Sequence, residues 1–226
     1  MDLDGITALI ADVDETIIHD KSMFSFLDFL AAQVADFDAA AVRRQLFDLA
    51  AGGGSREDAN HAYYAALEGQ RDLDLALAGR MWFAHREQDL EFWIPFTVDL
   101  VTRAVDAGIP VVFVSGSHRA CVDAIARHLG VEHVLCTEVE LRDDGTLTGH
   151  RVASAIGAAK RARVLEWAAA HRVDLAGALA LGDHDSDIAF MELAGAAIAI
   201  NPSAGLAREV ARRGWRSVES TGGAAA

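Results

Sequence analysis

The stretch Ile6-Thr7-Ala8-Leu9-Ile10-Ala11-Asp12-Val13-Asp14-Glu15-Thr16 decides how this chain is read. Its apolar run reads as a buried strand from Ile6 to Val13 that ends in acids. The period of two along a strand puts the carboxylates of Asp12 and Asp14 on the same side of the chain. Taken alone, an acidic pair at a strand end is more often turn or capping chemistry than catalysis. Its meaning depends on what else reaches the same place.

Further apolar runs read as strands at Val111 to Val114, Val134 to Val139, Leu179 to Leu181 and Ala196 to Ile200, with a weaker one at Trp215 to Val218. They alternate with amphipathic helical stretches, the pattern of an α/β protein with a Rossmann-like parallel sheet and helices on both faces. Asp143-Asp144-Gly145-Thr146 reads as a hairpin turn. Almost a hundred residues separate the first two strands, far more than one crossover helix needs. Apolar faces recur there at helical spacing, through Phe24, Leu27, Leu30 and Val34, then Val42, Leu46 and Leu49, then Leu73, Leu77 and Met81. Gly52-Gly53-Gly54 breaks two of these helices, and Ser55 is placed to cap the next. The chain therefore divides into a core of residues 1–20 and 94–226 and a helical cap of residues 21–93 inserted after the first strand, with Pro95 marking the return.

Composition narrows the function. The chain has 226 residues, 52% of them hydrophobic, and a net charge of −14, which speaks against a nucleic-acid partner because phosphate-backbone affinity needs clustered Lys and Arg. An anionic ligand would need local help from a metal ion, a lysine or helix N-termini. No apolar run approaches the ~20 residues of a membrane span. The start of the chain lacks the pattern of a secretory signal, and two cysteines, Cys121 and Cys136, read as reduced core thiols. A cytoplasmic location is expected. The tail from Thr221 to Ala226 reads as frayed, and oligomeric state is not legible.

Three more elements carry chemistry. Val111 to Val114 runs into Ser115-Gly116-Ser117, a turn at a helix start whose N–H groups and hydroxyls suit an anion. Lys160 stands early in a helix, where a cation opposes the macrodipole. Gly182-Asp183-His184-Asp185-Ser186-Asp187 ends another strand; it resembles the start of an EF-hand loop, but Ile188 and Ala194 stand where glycine and glutamate are required. Carboxylates at a strand end better suit a hard cation shared with a phosphate. All four elements can meet at the C-terminal edge of one parallel sheet, where open α/β sheets bind ligands.

In this order, Asp12-x-Asp14-x-Thr16, Ser115, Lys160 and Gly182-Asp183-x-x-x-Asp187 resemble the four motifs of the haloacid dehalogenase superfamily. The insertion after the first motif is similar to the helical cap of its phosphoserine-phosphatase-like branch. The resemblance implies a phosphatase that hydrolyses a small phosphomonoester with Mg2+ as cofactor. Asp12 would be the nucleophile and Asp14 the general acid and base; Ser115, Gly116 and Lys160 would hold the phosphoryl group. Asp12, Asp183 and the backbone carbonyl of Asp14 would bind the metal, supported by Asp187. Asp at both 12 and 14 favours phosphatase over dehalogenase, since C–halogen cleavage has no alkoxide to protonate.

Phosphoserine phosphatases carry a glutamate soon after the first motif and an arginine in the cap. Here Lys21 or Asp20 falls near the first, and the second falls near Tyr63 and Tyr64. Phe24, His61, Tyr64 and Trp82 are the expected pocket residues. A phosphotransferase or mutase using the same aspartate is one alternative. A phospho-accepting receiver domain is another, although receivers are shorter and lack both the insertion and the late Gly-Asp-x-x-x-Asp. The pairs His118-x-x-Cys121 and His133-x-x-Cys136 raise a zinc site as a third, without an obvious tetrahedral knuckle.

Overall fold

The computed structural model describes residues 2–33 and 37–220. Strand β1 (Leu9–Ala11) lies at the centre of a parallel sheet with β2 (Val111–Ser115) and β3 (His133–Cys136) on one side, and β6 (Leu179–Gly182), β7 (Ala196–Ile200) and β8 (Arg216–Val218) on the other. β1 is shorter than the expected Ile6 to Val13 because both neighbours pair with it only at three positions, Val111–Phe113 and Leu179–Leu181.

Alternation along the central strands serves both sheet faces. Leu9, Ala11, Val111, Phe113, Leu179, Leu181, Ile198 and Ile200 join one buried cluster, while Ile10, Val112, Val114, Ala180, Ala197 and Ala199 join another on the opposite face. Continuous apolar runs are what a strand covered on both faces requires. The expected strand from Val134 to Val139 is two strands. Cys136 pairs with Ser115 at the end of β2, so the sheet runs out there, and Glu138–Leu141 (β4) turns into an antiparallel hairpin with Leu147–Ala153 (β5).

Between β1 and β2 the chain makes helices α1 (Ser22–Gln33), α2 (Ala39–Ala51), α3 (Arg56–Ala66) and α4 (Asp72–Arg86), then α5 (Pro95–Asp106). It leaves and returns at one point: Ile94 N donates to Ile17 O and His19 N to Phe92 O, each at 2.9 Å. Ser55 caps α3 in a reciprocal box with Asp58. Phe26, Leu27, Trp82 and Phe83 from these helices belong to the same buried cluster as Phe113 and Ile125.

In α1, Leu27 and Leu30 are buried and Phe24 half-buried, whereas Val34 lies outside the described residues, as does the tail from Thr221 to Ala226. The stripe Leu73, Leu77 and Met81 of α4 is exposed, at 73%, 56% and 48%. α4 instead buries Leu75, Gly79, Trp82 and Phe83, because it packs on α6 (Arg119–His128) so closely that a Cβ at Gly79 would lie 2.2 Å from the Ala120 carbonyl oxygen. The chain closes through α7 (Ala158–His171), α8 (Ile188–Met191) and α9 (Ala204–Arg213). Among the described residues no helix is long and apolar enough to cross a membrane.

Candidate active site

Because the sheet is parallel, the C-terminal ends of its strands share one edge. Asp12 directly follows β1, Ser115 is the last residue of β2, and Asp183 directly follows β6, so three neighbouring strands deliver them side by side. Lys160, the third residue of α7, reaches the same edge. Its Nζ donates to Asp12 Oδ1 at 2.7 Å and to Asp187 Oδ1 at 2.6 Å. The other Asp187 oxygen accepts from the backbone N–H groups of Asp183 and His184 at 3.2 and 3.1 Å. Gly182 is needed beneath it, since a Cβ there would stand 2.8 Å from that of Asp187.

The group is buried: Asp12, Ser115, Lys160, Asp183 and Asp187 are all at most 6% exposed. Burial works against the charge of Lys160, but Asp12 and Asp187 override it and hold the ammonium above its ordinary pKa. Burial raises Asp12, reinforced by the charges of Asp187 and Asp14 and opposed by Lys160. Asp183 is pushed up to about 9, by burial first and then by the charges of Asp12 and Asp187. One lysine is thus too little positive charge for these acids.

Asp12, Asp183 and Asp187 present ligand atoms within 4.8 Å of one another, the one group of its kind among the described His, Cys, Asp and Glu residues. Hard carboxylate oxygens and unrelieved repulsion fit a divalent cation such as Mg2+. The paired His118/Cys121 and His133/Cys136 form no such group; His118 Nδ1 accepts from Ala120 N as the cap of α6, and both cysteines are buried and free.

Asp14 Oδ2 accepts from Ser117 Oγ at 2.5 Å, and Ser117 N donates to Ser115 Oγ at 3.1 Å. Burial raises the pKa of Asp14 in spite of the hydrogen bond from Ser117. A carboxyl that leans toward its protonated form is suited to hand over a proton. Thr16 Oγ1 points to Asp183 Oδ1 at 3.4 Å.

A cavity of about 290 Å3 opens above these residues, and its wall includes Asp12, Asp14, Ser115, Gly116, Lys160 and Asp183. Of the expected pocket residues, Phe24 lines it. His61 lies on a separate surface depression with Glu68, Arg142 and His150. Tyr64 is buried behind the Ser115-Gly116-Ser117 turn, its hydroxyl donating to Gly116 O at 3.3 Å. Trp82 is core, its Nε1 donating to Ser25 Oγ at 3.2 Å and its ring edge-on to Phe26 and Phe92. Lys21, which the sequence places near the glutamate position of phosphoserine phosphatases, also lines the cavity, and the wall is completed by residues that the sequence did not single out, among them Met23, Phe47 and Arg56. Ser117 was visible only as part of its turn. Arg56 follows the cap residue of α3 and donates to Ser186 Oγ at 3.2 Å across the mouth; periodicity carries no trace of that position.

The haloacid dehalogenase-like hydrolase family profile matches residues 9–192. The chain is 37% identical over 109 residues to an inhibition of morphological differentiation protein of Streptomyces azureus, a match covering 48% of this chain and 39% of that one. It is 29% identical to the phosphoserine phosphatase SerB1 of Mycobacterium tuberculosis, over 94% of this chain and 70% of that one. The chain thus spans about two-fifths of the first relative's length and more of the second's. A solved Bordetella pertussis protein of unknown function superposes with a TM-score of 0.81 at 26% identity, covering 95% of this chain and 98% of that one. With motifs in order along one sheet edge and a family match over most of its length, the chain belongs to the haloacid dehalogenase-like hydrolases.

Proposed function

We propose that this protein is a Mg2+-dependent phosphomonoesterase that acts on a small phosphorylated metabolite through an aspartyl-phosphate on Asp12. The carrying observation is the Asp12–Lys160–Asp187 chain at 2.7 and 2.6 Å, which fixes one nucleophile oxygen in a buried site short of positive charge. The phosphatase names of relatives support the same reading.

An Asp12 carboxylate oxygen attacks phosphorus, the P–O bond to the leaving group breaks, and the departing alkoxide takes its proton from Asp14. Asp14, now ionised and held by Ser117, removes a proton from the water that attacks the aspartyl-phosphate. The acyl-phosphate P–O bond breaks, giving inorganic phosphate and restoring Asp12. Ser115, Gly116 and Lys160 hold the phosphoryl oxygens throughout. Asp12, Asp183 and the Asp14 carbonyl would hold Mg2+, with Asp187 bracing the site; the ion supplies charge neutralisation at the phosphoryl group.

The test is phosphate release from a generic phosphomonoester with Mg2+ and with EDTA. Wild-type protein should turn over only with the metal, and Asp12→Asn should fall to background while remaining folded by circular dichroism. Full activity in clean Asp12→Asn protein would overturn the reading. Turnover that depends on an added alcohol acceptor would instead favour a phosphotransferase.

A further inference from the structure

We infer that the organic part of the substrate is apolar and carries no ammonium group, and that Phe24 and Phe47 form the surface on which it rests. The inference rests on the phosphomonoesterase reading and names the substrate class. At about 290 Å3 the cavity sits at the small end of ligand pockets (about 300–1,000 Å3). Its floor is ionic, but away from the floor Met23, Phe24, Leu46, Phe47 and Ile156 supply the wall.

Phe24 of α1 and Phe47 of α2 stack with ring centroids 5.6 Å apart and planes within 1°. The Arg43 guanidinium stands 5.3 Å from the Phe24 centroid and is itself tied to Asp28 at 2.6 Å. This places a braced aromatic pair at the cavity wall. Phe47 is nonetheless 57% exposed, and an exposed aromatic at the mouth of a polar site is what an apolar ligand group would cover.

The charges beyond the floor point the same way. Lys21 and Arg56 are cations, and the one acid beside them, Glu15, is paired with Lys21 at 3.1 Å. Asp20, one residue before Lys21, is taken by Arg86, which donates to its two oxygens at 3.1 and 3.0 Å. Beyond the floor, an ammonium-bearing substrate would meet Arg56 and a Lys21–Glu15 pair whose carboxylate is already engaged.

The experiment compares benzyl phosphate, ethyl phosphate and O-phosphoethanolamine at saturating Mg2+. All three release primary alcohols, so leaving-group chemistry does not favour the aromatic one. Benzyl phosphate should exceed O-phosphoethanolamine in kcat/KM by about tenfold or more. Phe47→Ala should remove most of that advantage through KM, Phe47→Tyr should restore it, and Lys21→Glu should shift selectivity toward O-phosphoethanolamine. Preference for O-phosphoethanolamine, or an equal loss on benzyl and ethyl phosphate in Phe47→Ala, would overturn the inference while leaving the phosphatase standing. Turnover of none of the three would overturn both.

Discussion

The floor and the wall of the cavity are built by different physics. The floor is a set of buried charges that answer one another: Lys160 bridges Asp12 and Asp187, and Asp187 in turn holds the backbone of Asp183 and His184. The wall is a set of side chains whose partners are mostly rings, solvent or an exposed ion pair, as with Phe24, Phe47 and Lys21. A change in the floor leaves a charge unanswered, whereas a change in the wall alters only shape and local affinity. On the proposed function, chemistry and selectivity are therefore expected to separate in this molecule.

The sharpest way to break that contrast is to set Asp12→Asn beside Phe47→Ala. The first should abolish phosphate release on every substrate, and the second should redistribute kcat/KM among substrates; a general loss in both would erase the distinction.

Next in size is Asp187→Ala, which strips Lys160 of one buried partner and leaves the N–H groups of buried Asp183 and half-buried His184 without that acceptor. Removing one partner of a buried ion pair costs roughly 3–5 kcal/mol, to be read by urea unfolding. A loss below ~1 kcal/mol would mean that water replaces the pair without cost.

A third test uses pH. The raised pKa of Asp183 means that folding favours its protonated form, so the stability it contributes is present at low pH and lost as pH rises toward about 9. His118, lowered to about 4 by burial and Arg119, acts in the opposite sense below its ordinary range, so the window of interest lies above about pH 7. In EDTA the Tm should fall between about pH 7 and 9, and Mg2+ should raise it more at the alkaline end. A Tm that rises with pH in EDTA would contradict the crowding of acids described above.

The smallest effect is expected from Ser55→Ala, at about 1 kcal/mol for a lost helix cap. It should be felt in selectivity as well as stability, because α3 carries Asn60, whose Nδ2 donates to Gly116 O at 2.8 Å. An unchanged Tm would show that Asp58 and α3 packing already hold that helix end.

The floor was legible in the sequence because strand ends are legible. A period of two, an apolar run and an abrupt acid or hydroxyl locate Asp12, Ser115 and Asp183 without knowledge of any contact. The wall was not, because the rotation of a helix about its axis is set by its neighbours. α4 shows the difficulty directly: Leu73, Leu77 and Met81 recur at helical spacing and so do Leu75, Gly79 and Trp82, and the close approach of the Ala120 carbonyl to Gly79 selects the second set. The same freedom of rotation put Tyr64, His61 and Trp82 in the expected pocket and left Phe47 and Arg56 out.

The crossing where Ile17 meets Ile94 and His19 meets Phe92 bears on how such a protein can change over time. With both ends of the excursion fastened side by side, the sheet meets the intervening helices as a closed loop that also packs on it through Phe26, Leu27, Trp82 and Phe83. Doubling the length of a flexible closed loop costs about 0.6 kcal/mol. The parts of those helices that pack neither on α6 nor on the Gly116 turn can therefore change in length at little entropic expense to the strands beneath, so new selectivities can arise above an edge that stays as it is.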